Sequence, residues 1–475
     1  MTNAPTYAVP AEVTDVDTSA RGPLLLMIGS SLVWLLVSGV LALLTSIQLH
    51  TPGFLADCSF LTYGRAQALQ ESAFIYGWMA NAGLAVALWI LGRLGGSPLR
   101  ALNWTVVGTL FWNLAIAIGL IGIATGDATS IAWLQLPRYV QLMMVFAYGA
   151  IAIPGVLAWS GRNTQGIFAS QWYAVAALFL FPWLFSAAQM VLLWSPVRGV
   201  VQAIAAGWYA QSAWTLWLAP LALTGAYYIV PKVTGRVIPS YDFASLGFWT
   251  LLFVGTWTGG RHLIGGPTPA WIASVAIVSC SLLVFHYLIV ALNLRGAFGH
   301  GGPVMKFISF GLIAYVAGGL LDAVTAFRSV SLITQFTYFN TAQQQLAILG
   351  GASMILFGSL YFAVPRLTGR VWASGPWVGF HYTAMLLGVG LLILTLGVAG
   401  WIQGRDLNQA GVAFADIAKH TRPWLLGATV AQFILLFGNL LFFVNFCRSV
   451  CACGVKGSVA PSPFRQPSTI EATAS

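Results

Sequence analysis

The sequence predicts an all-α polytopic integral membrane protein, a bundle of twelve spanning helices. Three observations lead there. The 475 residues are 58% hydrophobic and only 7% charged, whereas a soluble domain carries about 25% charged residues. Apolar runs near the roughly 20 residues needed to cross a bilayer follow one another along the chain. A motif also recurs. Tyr227-Tyr-Ile-Val-Pro-Lys-Val-Thr-Gly-Arg-Val matches Tyr361-Phe-Ala-Val-Pro-Arg-Leu-Thr-Gly-Arg-Val at an offset of 134 residues, and the same offset carries Gln345 onto Gln211. Two apolar helices therefore share a polar position, an exit motif and a register. In lipid an open chain satisfies its backbone only as helix.

In chain order, residues 1–22 are polar, acidic and free of a basic run, and read as a cytoplasmic tail rather than a signal peptide. The membrane domain, 23–447, divides into spans at about 23–47, 72–93, 102–125, 139–160, 168–194, 200–230, 243–262, 269–295, 305–327, 339–364, 377–402 and 423–447. The tenth is read as entering near Phe339 and stopping at Pro365, with Gln343, Gln344 and Gln345 in its entering end. Residues 448–475, rich in Ser, Pro and Ala, read as a disordered cytoplasmic tail.

The net charge of +10 is spread through short loops, which fits membrane topology and not a nucleic-acid surface. Thirteen of the 21 lysines and arginines fall on the side of the termini. Eight fall on the other, in the loops at 65, 138, 198, 261, 328 and 405–422. Both termini are thereby expected in the cytoplasm. The five cysteines form no extracellular disulfide framework. Cys447, Cys451 and Cys453 lack a nearby fourth metal ligand and read as free or acylated thiols.

Further segments extend the pattern: Tyr63-Gly-Arg-Ala-Gln-Ala-Leu-Gln70, Gly207-Trp-Tyr-Ala-Gln211, Pro231 to Tyr241, Phe248-Trp249, and Trp257-Thr-Gly-Gly-Arg-His-Leu263. In this order, with the two exit motifs, they resemble subunit I of the haem-copper oxidase superfamily, closest to its cbb3-type branch. The resemblance covers roughly 60–370 and implies twelve spans, two haems, one copper, cytochrome c oxidase activity and c-type cytochrome neighbours. It also implies six histidine ligands, because imidazole binds haem iron and copper as no amide does. The low-spin haem positions fall on Gln70 and Gln345, and the high-spin haem position on Gln343. The copper positions fall on Gln211, Arg261 and His262, and the redox tyrosine position on Gly255. One ligand of six survives. No haem, copper or catalytic residue is therefore expected.

The other polar residues have plainer readings. His50, His300 and His420 read as solvated loop residues, and His286 and His381 as lone neutral imidazoles rather than substitute haem ligands. His262 is a relic, a packing residue or the partner of an acid. The three consecutive glutamines either bond across the bundle or line a water or ion path. Glu71 and Asp322 are the acids nearest the membrane interior, and Asp322 is expected to pair with Arg328.

The leading expectation is a redox-inactive homologue acting as a structural or regulatory subunit of a respiratory complex, in the bacterial inner membrane. The alternatives are an active terminal oxidase with displaced ligands, and a cofactor-free channel or transporter. Reporter fusions test the topology: the amino and carboxyl ends and the 162 loop should report cytoplasmic, and the 198 and 328 loops external. A carboxyl end reporting external would refute it.

Overall fold

The computed structural model describes residues 14–164 and 166–451. Those residues form helices and connecting turns, with no strand among them. The helices are α1 (Asp15–His50), α2 (Tyr63–Gly95), α3 (Leu102–Thr125), α4 (Arg138–Ser160), α5 (Ala169–Trp194), α6 (Val200–Thr234), α7 (Tyr241–Gly255), α8 (Ala270–Asn293), α9 (Pro303–Ala326), α10 (Tyr338–Thr368), α11 (Gly375–Leu407) and α12 (Phe414–Val450). Eleven are long and apolar enough to cross a membrane, and α7, with 15 residues, is the exception. A short helix, Arg328–Thr334, lies between α9 and α10.

Three helices form the centre. In their most apolar windows α2, α6 and α10 are 94%, 100% and 94% buried, against 39–50% for the other long helices. They pack on one another, and small residues let them approach. A Cβ on Gly225 of α6 would lie 2.2 Å from Ser359 Oγ of α10. Those two residues are related by the 134-residue repeat. Each central helix also contains a π-helical stretch: Ala73–Met79 in α2, Trp214–Leu218 in α6 and Leu346–Ser353 in α10. They begin three residues beyond Gln70, Gln211 and Gln343 respectively. Single π turns inside α-helices occur frequently at functional sites.

The repeated exit motif has one geometry in both copies. Pro231 and Pro365 lie inside their helices, and each helix ends at a glycine in the left-handed region, Gly235 at φ 67° and Gly369 at φ 65°. Thr234 and Thr368 donate to the carbonyls four residues back, at 2.8 and 2.9 Å. Each also accepts from the following arginine N–H, Arg236 at 3.2 Å and Arg370 at 3.3 Å. The stop expected at Pro365 is thus displaced to Gly369. Proline removes a helical N–H, and the Tyr361 carbonyl left without that donor accepts from the Trp372 indole at 3.1 Å.

Other boundaries differ from expectation: α2 starts at Tyr63 and not at 72, and α12 at Phe414 and not at 423. Helix α1 starts at Asp15, not at 23, so part of the expected tail is helical. Thr14 and Asp17 form a capping box, and the buried Asp17 carboxylate accepts from Trp89 at 2.8 Å and pairs with Arg93 at 3.2 Å. Those contacts stabilise the start strongly enough for Pro23 to sit inside the helix. The seventh span is not one helix over 243–262. It breaks after Gly255 and resumes as a 3-10 turn, Thr258–Leu263. Gly255, Gly259 and Gly260 disfavour helix there, and backbone contact described below holds the turn. At the other end α12 runs to Val450, and the tail from 452 onward, with Cys453, lies outside the described residues.

Candidate functional site

The predicted site residues separate into two groups. The first lies where the 3-10 turn after α7 meets α6, α9 and α10. A Cβ on Gly259 would stand 2.4 Å from the Gly207 carbonyl oxygen and 3.0 Å from Trp208 N. Only glycine permits this backbone contact, which sets the turn bearing Arg261 and His262 against the α6 segment leading to Gln211. Gly255 is similarly crowded, since a Cβ there would lie 2.9 Å from Thr215 Cβ. No side chain enters that space without displacing α6.

Arg261 reaches into the bundle and pairs with Asp322 of α9 at 2.5 Å. Gln343 of α10 donates to the same Asp322 oxygen at 2.6 Å. Thr325 accepts from Arg261 at 3.3 Å, and its hydroxyl stands 3.1 Å from Gln343 Oε1. Arg261, Asp322, Gln343 and Thr325 thus close a ring joining three elements. Asp322 was expected to pair with Arg328, which instead donates to Ser274 at 3.1 Å. The missed partner had a signal in the sequence: a cation at 261 inside an expected span requires an acid at similar depth.

The second group lies in a cleft bounded by α1, α2, α10, α11 and α12, with about 170 Å³ open to the centres of water molecules. Gln70 and Gln345 both line it, together with Gln344 and Glu71. Glu71 accepts from Gln135 at 2.7 Å and from Gln67 at 3.3 Å. Two nearby aromatic residues of α2 do not fill the cleft. Trp78 donates to Ser353 at 3.0 Å and stacks on Phe357, while Tyr76 bonds to Tyr209 and to the Trp133 carbonyl.

The histidines are dispersed. His286 is satisfied at both nitrogens, by the Gly247 carbonyl at 2.8 Å and Tyr315 at 2.9 Å. His381 bonds to Tyr361 at 2.9 Å and stacks on Phe442. His262 receives a Gln335 hydrogen bond at its backbone carbonyl, 2.7 Å away, and no acid pairs with its ring among the described residues. Two expected in loops are helical, His50 half-buried and bonded to Thr429 at 3.0 Å, and His420 bonded to Asp406 at 2.8 Å with its side chain 54% exposed, solvated as expected. His300 lies in a loop as expected and is partly exposed, with its Nδ1 buried and unpartnered among the described residues.

The sequence profile described as Cytochrome C and Quinol oxidase polypeptide I matches residues 23–434. The chain belongs to this family. Its resemblance to haem-copper oxidases therefore extends well past the 60–370 segment that carries the motifs. The chain is 24% identical over 441 residues to the cbb3-type cytochrome c oxidase subunit CcoN1 of Stutzerimonas stutzeri, covering 89% of this chain and 93% of that one. It is 24% identical to cytochrome c oxidase subunit 1 of Rhodobacter capsulatus, covering 88% and 83%. A cryo-EM structure of a haem-copper terminal oxidase dimer superposes with a TM-score of 0.69 over 92% of this chain and 86% of that one, at 15% identity. That likeness establishes the fold.

The family implies haem and copper, and the residues at the expected positions do not fit them. Gln70, Gln343 and Gln345 offer amides where axial imidazoles are needed. Gln211, Arg261 and His262 offer one imidazole, an amide and a permanent cation engaged with Asp322. Among the described residues no three His, Cys, Asp or Glu side chains group closely enough to hold a metal ion.

The ion pair itself can be tested. Breaking a buried pair costs about 3–5 kcal/mol, while replacing both partners by apolar residues is close to neutral. Arg261→Met should therefore markedly lower the melting temperature of detergent-solubilised protein. Arg261→Met with Asp322→Leu should recover most of the loss. Equal destabilisation in the single and double variants would refute the pairing.

Proposed function

We propose that this member of the haem-copper oxidase subunit I family carries no redox centre and serves as a structural or regulatory subunit of a respiratory membrane complex. The observation that carries the reading is the ring around Asp322. It engages Arg261 and Gln343, two of the positions expected to ligate copper and high-spin haem, in bonds to Asp322 and Thr325. The crowding at Gly255 supports it, since a tyrosine has no room there. A terminal oxidase with displaced ligands would have to recruit His286 or His381. His286 would first give up two hydrogen bonds, and His381 the one it makes to Tyr361.

The relatives are named as oxidase subunits, which suggests neighbours for this chain: other subunits of a respiratory assembly, c-type cytochromes among them. The bacterial source of those relatives favours the inner membrane as the location, and the cationic loops favour both ends on its cytoplasmic side.

The decisive measurement is the absorption spectrum of purified protein. No Soret band and no haem in a pyridine extract are expected, and near-stoichiometric haem would overturn the reading. A second test asks whether the cleft keeps the shape of a haem site without its chemistry. Gln70 and Gln345 line one cleft from α2 and α10, and exchanges between side chains of similar volume usually cost less than about 1.5 kcal/mol. Gln70→His with Gln345→His, expressed with haem supplied, should acquire a low-spin bis-histidine spectrum. Each single variant should bind haem weakly or not at all. A folded, colourless double variant would reject a retained haem-shaped cleft.

A further inference from the structure

The cleft between α1, α2, α10, α11 and α12 has a chemistry that the loss of haem does not explain. It is deep. Along α1 its lining runs from Leu49 to Leu35, fourteen residues or about 21 Å at the helical rise, in a hydrocarbon core of about 30 Å. Tyr63 and Tyr338, the first residues of α2 and α10, mark its rim. It opens on the face where those helices begin.

Its walls carry polar groups without protein partners. Gln70, Gln344, Gln345 and Gln432 line it, and none of these amides has a hydrogen-bond partner among the described residues. Deeper still, Asn439 is 4% exposed and lines the cleft, with the His381 ring of α11 as its polar neighbour. The four glutamines are half-buried, and side-chain amides in folded proteins are almost always hydrogen-bonded, to protein or to water. Helix-to-helix bonding accounts for Gln343, which reaches Asp322, and for none of these four glutamines. Water has to supply the partners, and the cleft is polar and roomy enough to hold it.

The charge in the cleft is of one sign. Glu71 is the only ionisable acid or base lining it apart from the two tyrosines. Its carboxylate is held by the Gln67 and Gln135 amides, and no ion pair among the described residues includes it. An uncompensated carboxylate between low-dielectric walls concentrates cations.

We propose that this cleft is a water-filled vestibule that admits small hydrophilic solutes and selects cations through Glu71. The proposal rests on the haem-free reading. A Soret band in the same preparation would signal failure of that reading, while the experiment below signals failure of this one.

The test uses full-length protein in nanodiscs, which leave both faces open to solvent and the lipid face covered. In a background with all five native cysteines replaced, single cysteines are placed at Gln344, Gln345 and Gln432, with Leu440→Cys on the exposed apolar face of α12 as control. Labelling rates are measured with a cationic trimethylammonium and an anionic sulfonate methanethiosulfonate, each normalised to its rate with a free thiol. The three cleft cysteines should react and the control should not. The cationic reagent should be favoured at least about tenfold, the lower end of what field focusing in a charged cleft achieves. Adding Glu71→Gln should abolish that preference while labelling persists. Unreactive cleft cysteines in folded protein would overturn the proposal, as would equal normalised rates for the two reagents. Using three independent positions keeps the result decisive when one variant fails to fold.

Discussion

A carboxylate inside a membrane bundle needs a cation or hydrogen-bond donors, and Asp322 obtains a cation and a second donor. Arg261 supplies the charge and Gln343 a second donor to the same oxygen. The pair alone is weak evidence for stability, because burying two charges costs as much as their attraction returns. Its effect is on geometry. It joins the turn after α7 to α9, and Gln343 extends the connection to α10. The contact of Gly259 with Gly207 adds α6. Three elements meet at one carboxylate, and the glycine contact brings in the fourth.

The two groups of substituted positions end differently for reasons visible in their surroundings. Around Arg261 the substituents are long and charged, a partner acid is in reach, and backbone contact leaves no space for a side chain at Gly259. The region closes on itself. Around Gln70 and Gln345 the substituents are neutral amides on separate helices, with no complementary residue between them. Trp78 and Tyr76, large enough to fill the space, are committed to Ser353, Tyr209 and the Trp133 carbonyl. That region stays open, and its amides face a cleft.

Much of the architecture was legible in the sequence because it is written in long apolar runs and in one repeated motif. The motif located α6 and α10, and both proved to be central helices with matching ends. What sequence reasoning missed were local contests. It ended α10 at Pro365, but the Trp372 indole serves the carbonyl that proline leaves free, and the left-handed glycine four residues on ends the helix. It began α1 at 23, but the capping box at Thr14 and the Asp17 contacts outweigh Pro23. It read 243–262 as one helix, where three glycines and the Gly207 contact break it. At the site, the three glutamines were read as either bonding across the bundle or lining a path. Gln343 does the first and its neighbours line the cleft, because consecutive residues of a helix face different surroundings.

The π-helical stretches show how fold and chemistry are specified separately in this chain. Each begins three residues past an amide at which imidazole would be expected. Packing holds them: a Cβ on Gly77 would meet Trp34 at 2.5 Å, and one on Gly351 would press on the Tyr315 backbone at 3.2 Å. Such contacts specify the path of the helix without reference to what Gln70 or Gln343 binds. Backbone shape is spread over many residues, so it tolerates the exchange of a few side chains. Coordination chemistry resides in those few side chains and does not. A chain 24% identical to oxidase subunits over nearly its whole length can share their scaffold while its own residues argue for a different use of the space inside.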